Sequence, residues 1–331
     1  MRSDPISAPG GATRKPAQWA DLHLKKADLH LHSSHSFDVL DLPALSPRAL
    51  YDKAVKRGMG FFTLTDHDTM RGVEELKRDL AVEYGESPPI PLIAGIEIKV
   101  RDPRIGHTVH VNVLGLDQAQ MIELARRRRS IDRFTAFCRR EGLFHAYNHP
   151  FWFERGERGD LSTIEDLIGL FPVIELNAGR IPQLNGRTSR LAQKLGKSVI
   201  AASDSHTGRV GRAYSVAPGT TPQEFLGSIL AGVCRAVPEH LTPRGLVQEV
   251  DETVDLVLAR RSPFTPKASF LRTRPLARRI AELVLGSELL MASPGSRRAM
   301  KGTMRLMAFA PAYACVLQQR TMHWRLGEMD R

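Results

Sequence analysis

Phe61-Phe62-Thr63-Leu64-Thr65-Asp66-His67-Asp68-Thr69 is an apolar run that breaks into charge. A short, near-continuous apolar run suits a strand buried on both faces of a parallel sheet. Acids and an imidazole just beyond such a strand sit where α/β barrels place their functional groups. A plainer role for Asp68 or Thr69 is to cap the next helix, and a cap makes no use of His67.

The arrangement recurs on both sides of that stretch. Strand-like runs cover residues 27–30, 61–66, 92–100, 108–115, 144–149, 173–177 and 198–203. Helical segments alternate with them. One opens at Ser46-Pro47 and stops at Gly58, and others cover 69–84, 118–141, 163–170, 187–195 and 222–231. About seven strand–helix alternations predict an α/β fold, a (β/α) barrel either regular or distorted. After Pro238 the pattern changes to a Pro-punctuated basic stretch followed by helical segments near 277–290 and 300–318. The expected organisation is a disordered leader over 1–26, a catalytic domain over 27–238 and a basic helical region over 239–331.

Composition narrows the function. Hydrophobic residues make up 42% and charged residues 25%, as in ordinary globular proteins. Cys138, Cys234 and Cys315 are far apart and form no CxxC pair, so neither a thiolate zinc site nor a disulfide framework is expected. With no secretory signal in the leader, a cytoplasmic location is the expectation. No segment reaches the length of a membrane span, and the best candidate, 306–317, contains Pro311. The net charge of +11 is concentrated from Arg260 onward, where 14 Lys/Arg face four acids. Contact with an anionic membrane surface or with nucleic acid is one role for this tail. Packing against the barrel with a solvated basic face is the plainer one.

Asp28-Leu-His30-Leu-His32-Ser33 carries the most chemistry. In a strand, His30 and His32 share a face and can chelate one ion. Asp28 is then placed to accept a ring N–H from a neighbouring ligand. Glu97 ends the run at 93–96, His107 and His110 flank the start of another, His149 precedes Pro150, and Asp204-Ser-His206 follows 199–203. Six of the twelve histidines, His30, His32, His67, His110, His149 and His206, lie at or beside these strands. Imidazoles mixed with carboxylates suit Mn, Zn or Fe ions, and several such donors imply a multinuclear site.

Asp-Leu-His-Leu-His-Ser at 28–33, Thr-Asp-His-Asp-Thr at 65–69, Gly-Ile-Glu at 95–97, Asn-His-Pro at 148–150 and Ser-Asp-Ser-His at 203–206 occur together and in order. In this the sequence resembles the PHP (polymerase and histidinol phosphatase) family of metal-dependent phosphoesterases, over roughly residues 27–238. The resemblance implies a distorted (β/α)7 TIM-like barrel holding two or three divalent metal ions. It implies that His30, His32, Glu97 and Asp204 surround one ion and that Glu97 bridges to a second held by His110 and His149. Asp38, His67 and His206 hold the third, with His35 the alternative to Asp38 and His107 the alternative to His110. His35 and His107 are otherwise expected to be solvent-facing loop residues. Glu97 and Asp204 then act in catalysis through the bridged metals, which activate a water for attack on phosphorus. Arg180, and after it Arg209, are the candidates to clamp the phosphate; Tyr147 and Asn148 are placed in the pocket lining. The implied substrate is a phosphorylated small molecule or short nucleotide.

Two other functions compete. Amidohydrolase barrels hydrolyse amides with a bridging lysine, and here only Lys99 lies near a strand end, two residues past Glu97. A non-catalytic binding module made from a degenerate barrel conflicts with an intact ligand set.

Overall fold

The computed structural model describes residues 23–154, 156–157, 162–258 and 293–329. Most of the expected leader and the expected helix at 277–290 lie outside the described residues. The strands are β1 (Leu24–Ala27), β2 (Phe62–Thr63), β3 (Leu92–Ile93), β4 (Gly95–Val100), β5 (Val109–Leu114), β6 (Phe144–Tyr147), β7 (Val173–Asn177), β8 (Ser198–Ala202), β9 (Tyr214–Pro218) and β10 (Arg235–Val237). The helices are α1 (Pro47–Lys56), α2 (Arg71–Tyr84), α3 (Gln118–Arg127), α4 (Ile131–Arg140), α5 (Thr163–Leu170), α6 (Pro182–Lys194), α7 (Pro222–Leu230), α8 (Pro243–Leu258) and α9 (Pro294–Met329).

The architecture is α/β, with a central mixed sheet β4-β5-β6-β7-β8, a small sheet β1-β9-β10 and a parallel pair β2-β3. No closed sheet forms among the described residues. Isolated backbone hydrogen bonds join the pieces instead. Thr65 N donates to Leu31 O (2.8 Å), Asp204 N to His30 O (2.9 Å) and Asp68 N to Glu97 O (2.8 Å).

Period-two alternation explains what each strand contributes. In β4, β5, β7 and β8 one set of side chains (Ile96 and Ile98, Val111 and Val113, Ile174 and Leu176, Val199 and Ala201) joins a core with α3, α4, α5 and α6. The opposite set is apolar towards one end, where Leu114, Phe144, Ala146, Val173 and Ile200 meet Leu29, Phe61 and Phe225 of α7. Towards the other end the same faces carry Glu97, His110, Asn148, Glu175, Asn177 and Asp204. The sequence thus lays an apolar floor beneath a polar cup. Gly95 permits the close approach this needs: a Cβ there would lie 2.7 Å from Leu64 O and 2.5 Å from Thr63 Oγ1.

Several expectations are corrected. β5 runs antiparallel to both β4 and β6. The β4–β5 connection carries no helix, and a hairpin needs none, whereas a parallel crossover does. The first strand lies at 24–27 rather than 27–30, because β9 pairs with residues 24–27. The helix expected over 118–141 is two helices, with Ser130 capping the second through Arg133 N. Neither Asp68 nor Thr69 N-caps α2, whose N-cap is Met70; Asp68 instead accepts from Lys99 N at 3.4 Å. β9, β10 and α8 were not expected from the sequence.

The described part of the basic region packs onto the fold. Arg305 and Lys301 of α9 pair with Asp251 and Asp255 of α8, an antiparallel register. Val316 and Leu326 of α9 are buried in the same core as the sheet. No described helix is long and apolar enough to cross a membrane.

Gly95→Ala is expected to destabilise the fold by about 1–3 kcal/mol through overpacking. Gly227→Ala, where nothing lies within 4 Å in the middle of α7, is expected to be neutral or stabilising by up to about 1 kcal/mol. Urea unfolding of both variants checks this, and equal effects would remove Gly95 from the packing argument.

Candidate metal centre

All nine residues expected as metal ligands come together at the polar end of the interior. His30, His32 and Glu97 have no solvent exposure, and His67, His110 and His149 are also buried. The antiparallel course of β5 explains how His110, which precedes an apolar run, joins groups that follow theirs. Its strand starts at the end where the other strands finish.

The donor atoms form four overlapping groups. They are His32/Asp38/His67/His206, His30/His32/Asp204, His30/Glu97/His149 and His67/Glu97/His110, the ligand atoms of each within 4.8 Å of one another. Glu97 is common to two of them. Its Oε2 lies 2.9 Å from His67 Nδ1, 3.3 Å from His30 Nε2 and 3.4 Å from His32 Nε2. Its Oε1 lies 3.1 Å from His110 Nδ1 and 3.4 Å from His149 Nε2. Asp38 Oδ2 is 3.1 Å from His67 Nε2 and 3.0 Å from His206 Nε2. Despite these distances Glu97 Oε2, His67 Nδ1 and His110 Nε2 are buried without a geometrically sound hydrogen bond. Lone pairs that converge on a shared space without bonding one another are what a cation's ligands require. The donor set fits divalent metals of the imidazole–carboxylate class.

Burial and charge set the protonation of these groups. Burial opposes a charged His30, but Asp204, Glu175 and Glu97 outweigh it and hold the imidazole well above its ordinary value. Burial likewise opposes His67, yet Glu97 and Asp38 raise it to about 10. His206 rises against its own burial to about 9 under Asp38 and Asp204. Burial and the charge on His206 take His32 down to about 3, so its imidazole is neutral at any physiological pH. Burial alone would raise Glu97 and Asp204; His67 and His30 in the first case, and His30 and His32 in the second, drive them well below the carboxylate range.

Apart from Asn148, sequence reasoning missed the groups that aim these donors. Glu175 Oε1 accepts from His30 Nδ1 at 2.7 Å, which turns Nε2 towards the cluster. Glu175 Oε2 accepts from His149 N (2.8 Å) and from Asn177 Nδ2 (3.1 Å), and Asn177 Nδ2 also reaches Asp204 Oδ2 (3.1 Å). Asn148 Nδ2 donates to Glu97 Oε1 at 2.8 Å. Glu154 Oε1 lies 3.4 Å from His110 Nε2. An acid in the middle of the otherwise apolar Val173-Ile-Glu-Leu was the signal available for Glu175. Asp28, expected in this role, instead accepts from Ser203 N and Gly211 N, bracing the backbone around Asp204.

The remaining candidates separate. Tyr147 is buried against Phe171 in the helix-facing core. Arg180 is buried, with its guanidinium 4.7 Å from the Trp152 ring. Arg209 Nε is 3.2 Å from Glu252 Oε2 of α8, which draws it to that helix. His35 is half-buried and pairs with Glu75 at 2.8 Å. His107 is buried against Phe153 rather than facing solvent. Lys99 Nζ is held by Glu154 at 2.7 Å and does not bridge the donors. Two residues of the donor cluster carry strained backbone, Asp204 at φ 51° and His149 at φ 29°. Each such residue costs about 1–3 kcal/mol and persists only where its surroundings over-determine it.

At neutral pH, His67 and His206 hold protons that a metal must expel, because their raised values lie above 7. Metal affinity is therefore expected to climb with pH towards about 9, by roughly tenfold per unit for each proton released. Chelator competition at three pH values measures it, and a flat profile would contradict the proton assignment. Under the same assay Glu175→Gln is expected to weaken metal binding about 10- to 100-fold with the fold retained.

Comparison with known proteins agrees with this geometry. The PHP domain profile matches residues 28–206, and a PHP-associated profile matches 182–234. A 3′,5′-nucleoside bisphosphate phosphatase of Chromobacterium violaceum is 37% identical over 93 residues, 28% of this chain and 28% of that protein. A 5′-3′ exoribonuclease of Haemophilus influenzae is 37% identical over 94 residues, 28% of this chain and 30% of that protein. The matched stretch thus spans less than a third of either relative. Among solved structures, PsfC from Pseudomonas syringae superposes with a TM-score of 0.52 at 19% identity, covering 70% of this chain and 99% of that one; it bears on the fold alone. The first profile spans more than half of the sequence and encloses every residue of the donor cluster, and on that ground the chain belongs to the PHP domain family.

Proposed function

We propose that this protein is a metal-dependent phosphoesterase that hydrolyses phosphate esters of small molecules or short nucleotides. The observation that carries the proposal is the convergence of six imidazoles and three carboxylates on shared space, with Glu97 in two of the groups. In this proposal His30, His32, Glu97 and Asp204 hold one ion. Glu97, His110 and His149 hold a second, and Asp38, His67 and His206 a third, with Mn, Zn or Fe as the candidate metals. Bound there, divalent ions lower the pKa of water and neutralise charge on phosphate oxygens.

The chain's own groups do the positioning. Glu175 fixes the His30 tautomer, and Asn148 and Asn177 orient Glu97 and Asp204. Arg180 is the proposed phosphate ligand. Its guanidinium is buried over Trp152 and, among the described residues, no carboxylate lies within ion-pair distance, so its donors remain for an anion. Arg209 is the weaker candidate because Glu252 already engages it. Both curated relatives bear the names of enzymes acting on nucleotide phosphates, which supports a nucleotide or a related phosphate as substrate.

The same proposal covers the architecture. We infer a distorted (β/α)7 barrel over 27–238, its seams made by the isolated bonds at Leu31–Thr65, His30–Asp204 and Asp68–Glu97. The shared apolar floor supports it.

Assays with Mn²⁺ on p-nitrophenyl phosphate and bis(p-nitrophenyl) phosphate, side by side, test the activity. Metal-dependent turnover is expected, reduced at least about 100-fold by His30→Ala. Arg180→Ala is expected to lower kcat/KM by about 10- to 100-fold. Absence of turnover on both esters by protein with metal bound would sink the proposal.

A further inference from the structure

The turn that carries Arg180 is gripped from outside by the C-terminal region. Gln319, in α9, accepts from Ile181 N through Oε1 at 2.9 Å and donates from Nε2 to Gly179 O at 3.0 Å. One side chain therefore holds the peptide groups on both flanks of Arg180. Leu241 N donates to the carbonyl of Arg180 itself at 2.9 Å. Beneath the turn, Asn185 of α6 bonds both the N–H and the C=O of Asn177, and His240 Nδ1 lies 3.0 Å from Asn185 Nδ2.

Gln319 is only 4% exposed. A buried primary amide costs several kcal/mol unless both of its ends are bonded. Here both are bonded, and to backbone. Val316 and Leu326 lie on the same stripe of α9, buried in the core that contains Ile181. They fix the helix against the fold, and Gln319 then fixes the turn. Arg180 needs such help. Its guanidinium has a cation–π contact with Trp152, and among the described residues no ion pair. Its direction is therefore set by Trp152 and by the backbone it hangs from.

We propose that Gln319 is a positioning residue for Arg180, so that this side chain of α9, more than a hundred residues beyond the last metal-binding motif, completes the substrate phosphate site. The inference rests on the phosphoesterase proposal in one respect, namely that Arg180 meets the substrate's phosphate. Substituting Gln319 should move phosphate affinity and KM while leaving bound metal and kcat nearly unchanged.

The test uses the full-length, metal-loaded protein with Trp19 and Trp324 replaced by phenylalanine, so that Trp152 fluorescence reports inorganic phosphate. Gln319→Met, similar in volume but without the amide, is expected to weaken phosphate binding and raise KM about 5- to 10-fold. Gln319→Asn, an amide too short to reach both peptides, is expected to show the same loss in part and serves if the methionine variant does not fold. In an Arg180→Ala background neither substitution is expected to weaken phosphate binding further. Unchanged affinity in the Gln319 variants, equal losses with and without Arg180, or no phosphate binding by the parent protein would each overturn the inference. Phosphate binding that depends on both residues without ester turnover would remove the phosphoesterase proposal alone. Turnover indifferent to Gln319 would remove the positioning role alone.

Discussion

Glu97 is a carboxylate with no solvent exposure, at the centre of five imidazoles. An isolated charge of this kind costs several kcal/mol to bury, so the fold tolerates it only with its partners in place. That constraint organises the rest of the molecule. His30 comes from the first extended segment, His67 from the end of the second strand, His110 from a reversed strand and His149 from the end of another. Each element must present its imidazole at the same level for the carboxylate to be compensated. The apolar floor below supplies the driving force for collapse, and the cup above supplies the registration.

Strain and burial at the site have the same origin. Asp204 and His149 accept left-handed backbone because hydrogen bonds on either side leave them no alternative. Asp204 N is held by His30 O and His149 N by Glu175. Asp28 was a ligand's partner in the sequence-based expectation, yet it works on the backbone, holding Ser203 and Gly211 around the strained residue. Its own carboxyl is raised to about 6 by burial, against the hydrogen bonds from Ser203 and Gly211. A second tier of carboxylates and amides thus sits behind the nine donors and determines where they point.

Most of the donors were legible in the sequence because they lie at or beside apolar runs, and a polar residue at the end of a buried strand is a local signal; Asp38 came only from the family resemblance. Val173–Asn177 and Thr163–Leu170 were legible to the residue, since apolar run and flanking breaks coincide there. What was not legible depends on partners distant in sequence. The direction of β5 follows from a helix-free connection, and the displacement of β1 follows from pairing with β9. Glu175 hides inside an apolar strand, where its role shows only once His30 is beside it. His107 reads as a loop residue until Phe153 covers it. Gln319 has no local signature; a glutamine within a 36-residue helix acquires meaning only from the two peptide groups it meets.

The distance along the chain between Arg180 and its clamp bears on how the molecule is made. During synthesis the nine donors emerge by residue 206, and they can gather while more than a hundred residues are still to come. Domains fold as they leave the ribosome at about 5–20 residues per second. For several seconds the nascent chain therefore holds a donor cluster without the helix that secures the neighbouring turn. Closure of α9 onto 179–181 spans 140 residues, a loop whose entropic cost grows only slowly with length. α9 is thus made after the whole donor cluster, which can gather before Gln319 reaches the turn at 179–181.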